Sequence, residues 1–175
     1  MLHTLIFMEM YWICNLISIF CIVALVKVYT ETNTMTGGIY TEMVDILIIT
    51  HGTLADGLIN GAQTIMGPVD NLSRIQLKMD DSIEKFCELV IQKIESLGDQ
   101  ILIFTDLLGA SPYNASAQAI REHPNKSVVC ITGINLPMLL EAILKREDMD
   151  LEALVDYLMD VGKNGITKLS LNMYK

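Results

Sequence analysis

The chain has 175 residues, with 12 Lys and Arg against 21 Asp and Glu and a formal net charge of -9. That length carries one well-cored domain and is short for two, and that charge argues against a broad surface for a nucleic-acid backbone. Cys14, Cys21, Cys87 and Cys130 contain no C-x-x-C pair, so they point to neither a zinc site nor a disulfide framework and suit a reducing compartment.

The first candidate element is the apolar run from Leu5 to Val26, whose only charge is Glu9. At about 1.5 Å of rise per residue it is long enough for a transmembrane helix across a hydrocarbon core of about 30 Å, and Lys27 would weakly hold the downstream chain in the cytoplasm. A secretory signal fits poorly, because "MLHT" offers no basic n-region and no A-x-A site comes after it. Residues 1–42 are read as a dispensable leader or a mis-assigned start, since a well-patterned domain spanning 43–175 opens at Met43; the alternative is a genuine membrane anchor.

From Met43 onward, strand-like and helix-like segments alternate with short connections, the pattern of βαβ units around a parallel sheet. "VDILIIT" (44–50) is a strand covered on both faces, since its apolar residues run on without alternation. A helix comes next, from Ala55 to Met66, stopped by Gly67 and Pro68. "LSRIQL" (72–77) is the second strand, and the helix after it spans Ser82 to Leu97. In that helix Ile83, Phe86, Cys87, Val90, Ile91 and Ile94 make one apolar stripe. "ILIFT" (101–105) and "SVVCIT" (127–132) are the third and fourth strands, each leading into a helical segment. A last helix covers Leu151 to Val161, and "GITKLSLN" closes the chain as a more exposed edge strand.

Three loops leave the carboxyl ends of strands: "THGTLADG", "DLLGASP" and "GINLP". With the strand order 2-1-3-4, the helices after strands one and three go to opposite faces and open a crevice between His51 and Asp106. Strands about 4.8 Å apart let an imidazole and a carboxylate meet there. A carboxylate on one ring nitrogen fixes the tautomer and leaves the other nitrogen's lone pair free, which makes a nucleophile. Ser111 followed by Pro112 reads as N-cap and first helical residue, so unpaired amides face the same crevice as an anion site. Gly109 lets the backbone come close, and the Ser111 hydroxyl is a further donor. Together these groups suit a transferable phosphoryl group.

Each residue alone has a plainer reading: His51 as a loop-capping residue, Asp106 as a turn residue, His123 as a helix C-terminal dipole partner, and Asn135 and Pro137 as turn formers. Their combination on one sheet edge is what points to chemistry. No G-x-G-x-x-G or G-x-x-x-x-G-K-[ST] is present, "GAS" lacks the G-x-S-x-G elbow, and a catalytic metal wants more imidazoles than His51 and the distant His123 provide.

"THG" after strand one, "TDLLGASPYNAS" after strand three and "GINLPMLLEAILKRED" after strand four, with a "GITKL" tail, resemble the EIIA component of mannose-family phosphotransferase sugar-uptake systems. The likeness runs from Met43 to the end, and residues 1–42 have no counterpart in it. It implies a three-layer α/β sandwich with a mainly parallel sheet and a C-terminal antiparallel edge strand exchanged between the subunits of a homodimer. It further implies a cytoplasmic phosphocarrier in which His51 takes a phosphoryl group from HPr and passes it to an EIIB subunit serving the membrane EIIC and EIID proteins. In that scheme Asp106 orients His51, Gly109 and Ser111 lie near the phosphate, and neither metal nor cofactor is needed. Where many members carry "WGG" or "FGG", this chain has Leu108, Gly109 and Ala110, which alters the rim facing its partners. Three alternatives stay open: a membrane-tethered regulatory module on the same domain, the EIIA-like donor subunit of a dihydroxyacetone kinase, and a small hydrolase using His51 and Asp106.

Overall fold

Four consecutive apolar side chains, Ile46, Leu47, Ile48 and Ile49, are fully buried in the first strand, β1 (Asp45–His51). Such a run requires cover on both faces. The computed structural model describes residues 43–170 and provides that cover with five helices: α1 (Leu54–Met66), α2 (Ile83–Glu95), α3 (Ser111–Glu122), α4 (Leu136–Lys145) and α5 (Leu151–Asn164). The candidate leader and its apolar run at 5–26 lie outside the described residues.

The remaining strands are β2 (Leu72–Leu77), β3 (Gln100–Thr105) and β4 (Ser127–Thr132). All pair in parallel in the order β2-β1-β3-β4, with Ile46 opposite Leu72 and Leu102, and Ile101 opposite Val128. Two polar bonds tie β1 to the chain flanking β3. At the start Gly98 N donates to Asp45 Oδ2 at 2.7 Å, and at the end His51 N donates to Asp106 Oδ2 at 2.9 Å.

The alternation of β1 side chains sorts the helices. Ile46 and Ile48 pack with Ala55, Ile59 and Ala62 of α1, Met138 and Leu139 of α4, and Leu154 and Leu158 of α5. Leu47 and Ile49 face Phe86, Val90 and Ile94 of α2 with Ala115 and Ala119 of α3. Each fully buried Ile or Leu contributes about 1.5–3 kcal/mol over its exposed state, so β1 anchors both cores. The helices that come after β1 and β3, α1 and α3, therefore lie on opposite faces, as that strand order leads one to expect.

Elements outside the cores are held by polar ends. Lys126 places its ammonium among the carbonyls of Ile94, Glu95, Leu97 and Gly98 at 2.6–3.3 Å, closing the C-terminus of α2 where the macrodipole favours a cation. Asn135 is the N-cap of α4, accepting from Met138 N at 3.1 Å, and His123 Nδ1 meets the Ala119 carbonyl at the end of α3.

One expectation is not seen and another is corrected. Among the described residues the C-terminal edge strand is absent: residues 166–170 carry no regular structure, and Ile166 and Leu169 are exposed. An alternating segment of this kind gains nothing from an extended conformation without a strand to pair with. At α3, Ala110 rather than Ser111 is the N-cap; Ser111 is already helical and Pro112 is the second helical residue. Alanine can hold the extended φ of -81° and ψ of 175° at that position without a side-chain bond, because the loop is braced by Asn114 Nδ2 donating to the Gly109 carbonyl at 2.9 Å.

Candidate functional site

His51 is the last residue of β1, and its turn into α1 is built from backbone and neighbours. Gly52 takes a left-handed φ of 53° with open space where a Cβ would stand, and donates its amide to the Leu77 carbonyl at 2.8 Å. The N-cap Thr53 makes no capping bond with its side chain. That work falls to Thr50, one residue before the histidine, whose buried hydroxyl accepts from Ala55 N at 3.0 Å. Thr50 is a positioning residue that sequence reasoning missed. Its only trace was a threonine ending an otherwise apolar strand.

Asp106 comes directly after β3, where Thr105 is paired with Ile49 of β1. One of its oxygens, Oδ2, meets His51 twice: at the backbone amide and at ring Nδ1, both at 2.9 Å. The ring is 44% exposed and the carboxylate side chain 13%. Burial works to raise the Asp106 pKa, but the hydrogen bonds from the His51 amide and ring, with the charge the ring can carry, outweigh it. The carboxyl is held below its ordinary value of 3.8. It is therefore ionised and can only accept, so Nδ1 is the nitrogen that donates in this bond, the tautomer whose neutral form has its lone pair on Nε2. Among the described residues no group bonds Nε2.

The β3–α3 loop completes the edge. Gly109 adopts φ 74° with open space at its missing Cβ, and Leu107 and Leu108 stand exposed beside it. Ser111 lines a cleft of about 470 Å³ together with His51, Gly52, Lys78 and Asp81. As the first helical residue it is not the cap, and no hydrogen bond occupies its hydroxyl among the described residues. The first-turn amides of α3 have no carbonyl four residues back to accept them, and Pro112 removes one of the set. The structure thus brings His51 and Asp106 into contact and puts Ser111 on the same cleft; Gly109 shapes the loop between them.

A largely buried carboxylate on one nitrogen of a half-exposed imidazole, with a helix N-terminus on the same cleft, is chemistry that suits a nucleophile next to an anion site. The family model described as "PTS system fructose IIA component" (EIIA-man) matches residues 45–159. The chain belongs to the EIIA-man family. The sorbose-specific EIIA component of Lacticaseibacillus casei is 29% identical over 131 residues, spanning 74% of this chain and 94% of that protein. The mannose-specific EIIAB component of Escherichia coli K12 is 28% identical over 129 residues, and the match takes in only 39% of that longer protein. Among solved structures, the phosphotransferase system component EIIA from Streptococcus agalactiae superposes with a TM-score of 0.68 at 30% identity, covering 72% of this chain and 97% of that one. Its relatives make this EIIA-man chain a phosphotransfer subunit of the sugar-uptake type.

Proposed function

We propose that His51 is the phosphoryl carrier of this EIIA chain, receiving the group on Nε2 from phosphorylated HPr and passing it to an EIIB subunit that serves membrane EIIC and EIID proteins. The observation that carries this is the 2.9 Å contact from Nδ1 to an ionised Asp106 under a ring left nearly half exposed. In the transfer, the Nε2 lone pair forms the new P–N bond as the donor's P–N bond breaks, and that bond's electron pair returns to the donor ring. The positive charge that then develops on the His51 ring is met by Asp106. Such a transition state is loose and metaphosphate-like, so the protein's part is alignment together with donors for the equatorial oxygens. In this reading the Ser111 hydroxyl and the α3 amides are the donors, with Gly109 keeping the loop clear.

The working unit is the domain at 43–175, acting in the cytoplasm; among the described residues no helix is long and apolar enough to cross a membrane. The exposed Leu107 and Leu108 offer an apolar rim to an incoming protein beside the open ring. In this reading the functional form is a homodimer in which the C-terminal segment of each subunit pairs with the other, in keeping with the outer edge of β4, which pairs with no further strand among the described residues, and with the exposed Ile166 and Leu169.

Incubation with phospho-HPr, then mapping of acid-labile phosphate and a chase onto candidate EIIB proteins, tests the reading. The label is expected on His51, absent in His51→Ala, and lost on addition of the cognate EIIB. Normal labelling of His51→Ala removes His51 from the role, and release as free phosphate without any acceptor favours hydrolysis instead.

A further inference from the structure

We propose that Lys78 supplies the counter-charge for the phosphoryl group on His51, an inference that rests on the carrier reading and adds a residue to it. Leu77 is the partner of His51 in the β1–β2 ladder, and its carbonyl accepts from Gly52. Lys78 therefore leaves β2 at the level where His51 leaves β1, and both residues line the same cleft with Ser111.

The backbone at Lys78 is fixed while its side chain is not. The Lys78 amide donates to Asp81 Oδ2 at 2.8 Å, and the Asp81 amide donates back to the Lys78 carbonyl at 3.2 Å. This tight turn directs the Asp81 carboxylate onto the main chain. The ion pairs among the described residues are His51 with Asp106, Arg74 with Asp56, and Lys163 with Asp160. Lys78 takes part in none of them, and its exposed ammonium makes no hydrogen bond to a described residue.

The charge balance of the cleft says what this ammonium is for. Asp81 lines the cleft and Asp106 stands behind the ring, in a chain of net charge -9. A phosphoryl group adds about -1.5 to -2 more at pH 7. Ser111 and the α3 amides offer neutral or partial charges, which leaves Lys78 as the one permanent cation among the lining residues. Lysine is suited to the role, being a point charge with three donors on a flexible stem, able to meet phosphoryl oxygens without a fixed bidentate geometry. The ammonium stabilises the carried group more than the departing metaphosphate-like species, which bears less charge on its oxygens. Lys78 thereby biases the carrier toward its loaded form and slows loss to water.

Two measurements test this on the full chain, in Lys78→Met and Lys78→Arg beside the wild type. One is the equilibrium constant for phosphoryl exchange with HPr. The other is the hydrolysis rate of protein charged by phosphoramidate, with the label mapped to His51. At low ionic strength Lys78→Met is expected to lower the equilibrium constant, and to speed hydrolysis, by about three- to fivefold, as for an exposed ion pair. The gap should shrink at about 0.5 M salt, and Lys78→Arg should restore wild-type values. An equilibrium constant depends on the free species alone, so a lysine that only assists docking would change transfer rates and leave both readouts unmoved, which overturns the proposal. Should phospho-HPr leave His51 unlabelled, the carrier reading fails on its own. Hydrolysis of the phosphoramidate-charged protein then still decides Lys78, faster loss in Lys78→Met supporting it and equal loss refuting it.

Discussion

Replacing Asp106 with Asn separates the orientation of His51 from the charge behind it. The Asn carbonyl can still accept from both the His51 amide and Nδ1, so the ring keeps its place while the negative charge disappears. Two unit charges 2.9 Å apart, the Nδ1 to Oδ2 separation, attract by about 1.4 kcal/mol in bulk water and about 6 kcal/mol at an effective dielectric of 20. With the ring 44% exposed and the carboxylate 13%, the value belongs toward the watery end, at about 1.5–3 kcal/mol, the range of a hydrogen bond to a charged group. In the proposed transfer that energy acts on the positive ring formed as phosphorus is captured. Rapid-quench transfer from labelled phospho-HPr should therefore be slower by about 10- to 100-fold in Asp106→Asn. The new amide nitrogen would take the place of Oδ1, which is buried without a partner, so a stability loss of about 1–3 kcal/mol accompanies the change. Transfer within twofold of wild type by a folded Asp106→Asn protein would refute the electrostatic role.

The depressed Asp106 pKa also predicts a pH window for stability. A carboxyl whose folded pKa lies below its unfolded one stabilises the fold fully above the unfolded value, near 3.8, and that contribution is lost as pH falls through the folded value. Urea titrations of wild type and Asp106→Asn should accordingly differ by a constant amount at neutral pH and draw together in acid; a gap that widens with acidity contradicts the assignment. Lys126→Met removes a cation from four carbonyls and should cost about 1.5–3 kcal/mol in chemical denaturation, whereas an unchanged midpoint would mean that water replaces the ammonium without loss. Gly109→Ala forces a Cβ into φ 74° without any clash, so a loss of about 1–2 kcal/mol should come from the backbone alone, with Gly109→Asn milder in the same assay. Light scattering should find a dimer for the full chain and a monomer after deletion of residues 166–175; a monomeric full chain ends the strand-exchange proposal.

Much of the fold was readable because its signals are local and redundant. β2 and β4 fall where their apolar runs begin and end, and the stripe of Phe86, Val90 and Ile94 lies buried as its spacing required. The meeting of His51 with Asp106 was readable from topology, since both stand at the ends of adjacent strands on one sheet edge. What escaped depends on partners distant in sequence or on interchangeable backbone geometry. The helix start at Ser111 was misplaced by one residue because an extended alanine serves as N-cap without leaving a chemical mark. Thr50 was overlooked because a capping hydroxyl supplied from the preceding strand looks like any β-branched residue. The tail "ITKLSLN" has strand periodicity, but no periodicity states which chain is to complete the ladder. Lys126 was not singled out, because nothing local reveals four carbonyls brought together from the end of α2 and the α2–β3 connection.

The two aspartates that clasp β1 solve a difficulty set by its own sequence. A strand that is greasy on both sides can slide along its neighbour by a residue with little hydrophobic penalty, since either side chain suits either face. Asp45 at one end and Asp106 at the other find their amide partners in a single alignment, so they act as locating pins. In the proposed carrier the downstream pin is also the group that readies the imidazole, so a misaligned sheet and an inert histidine would be the same defect.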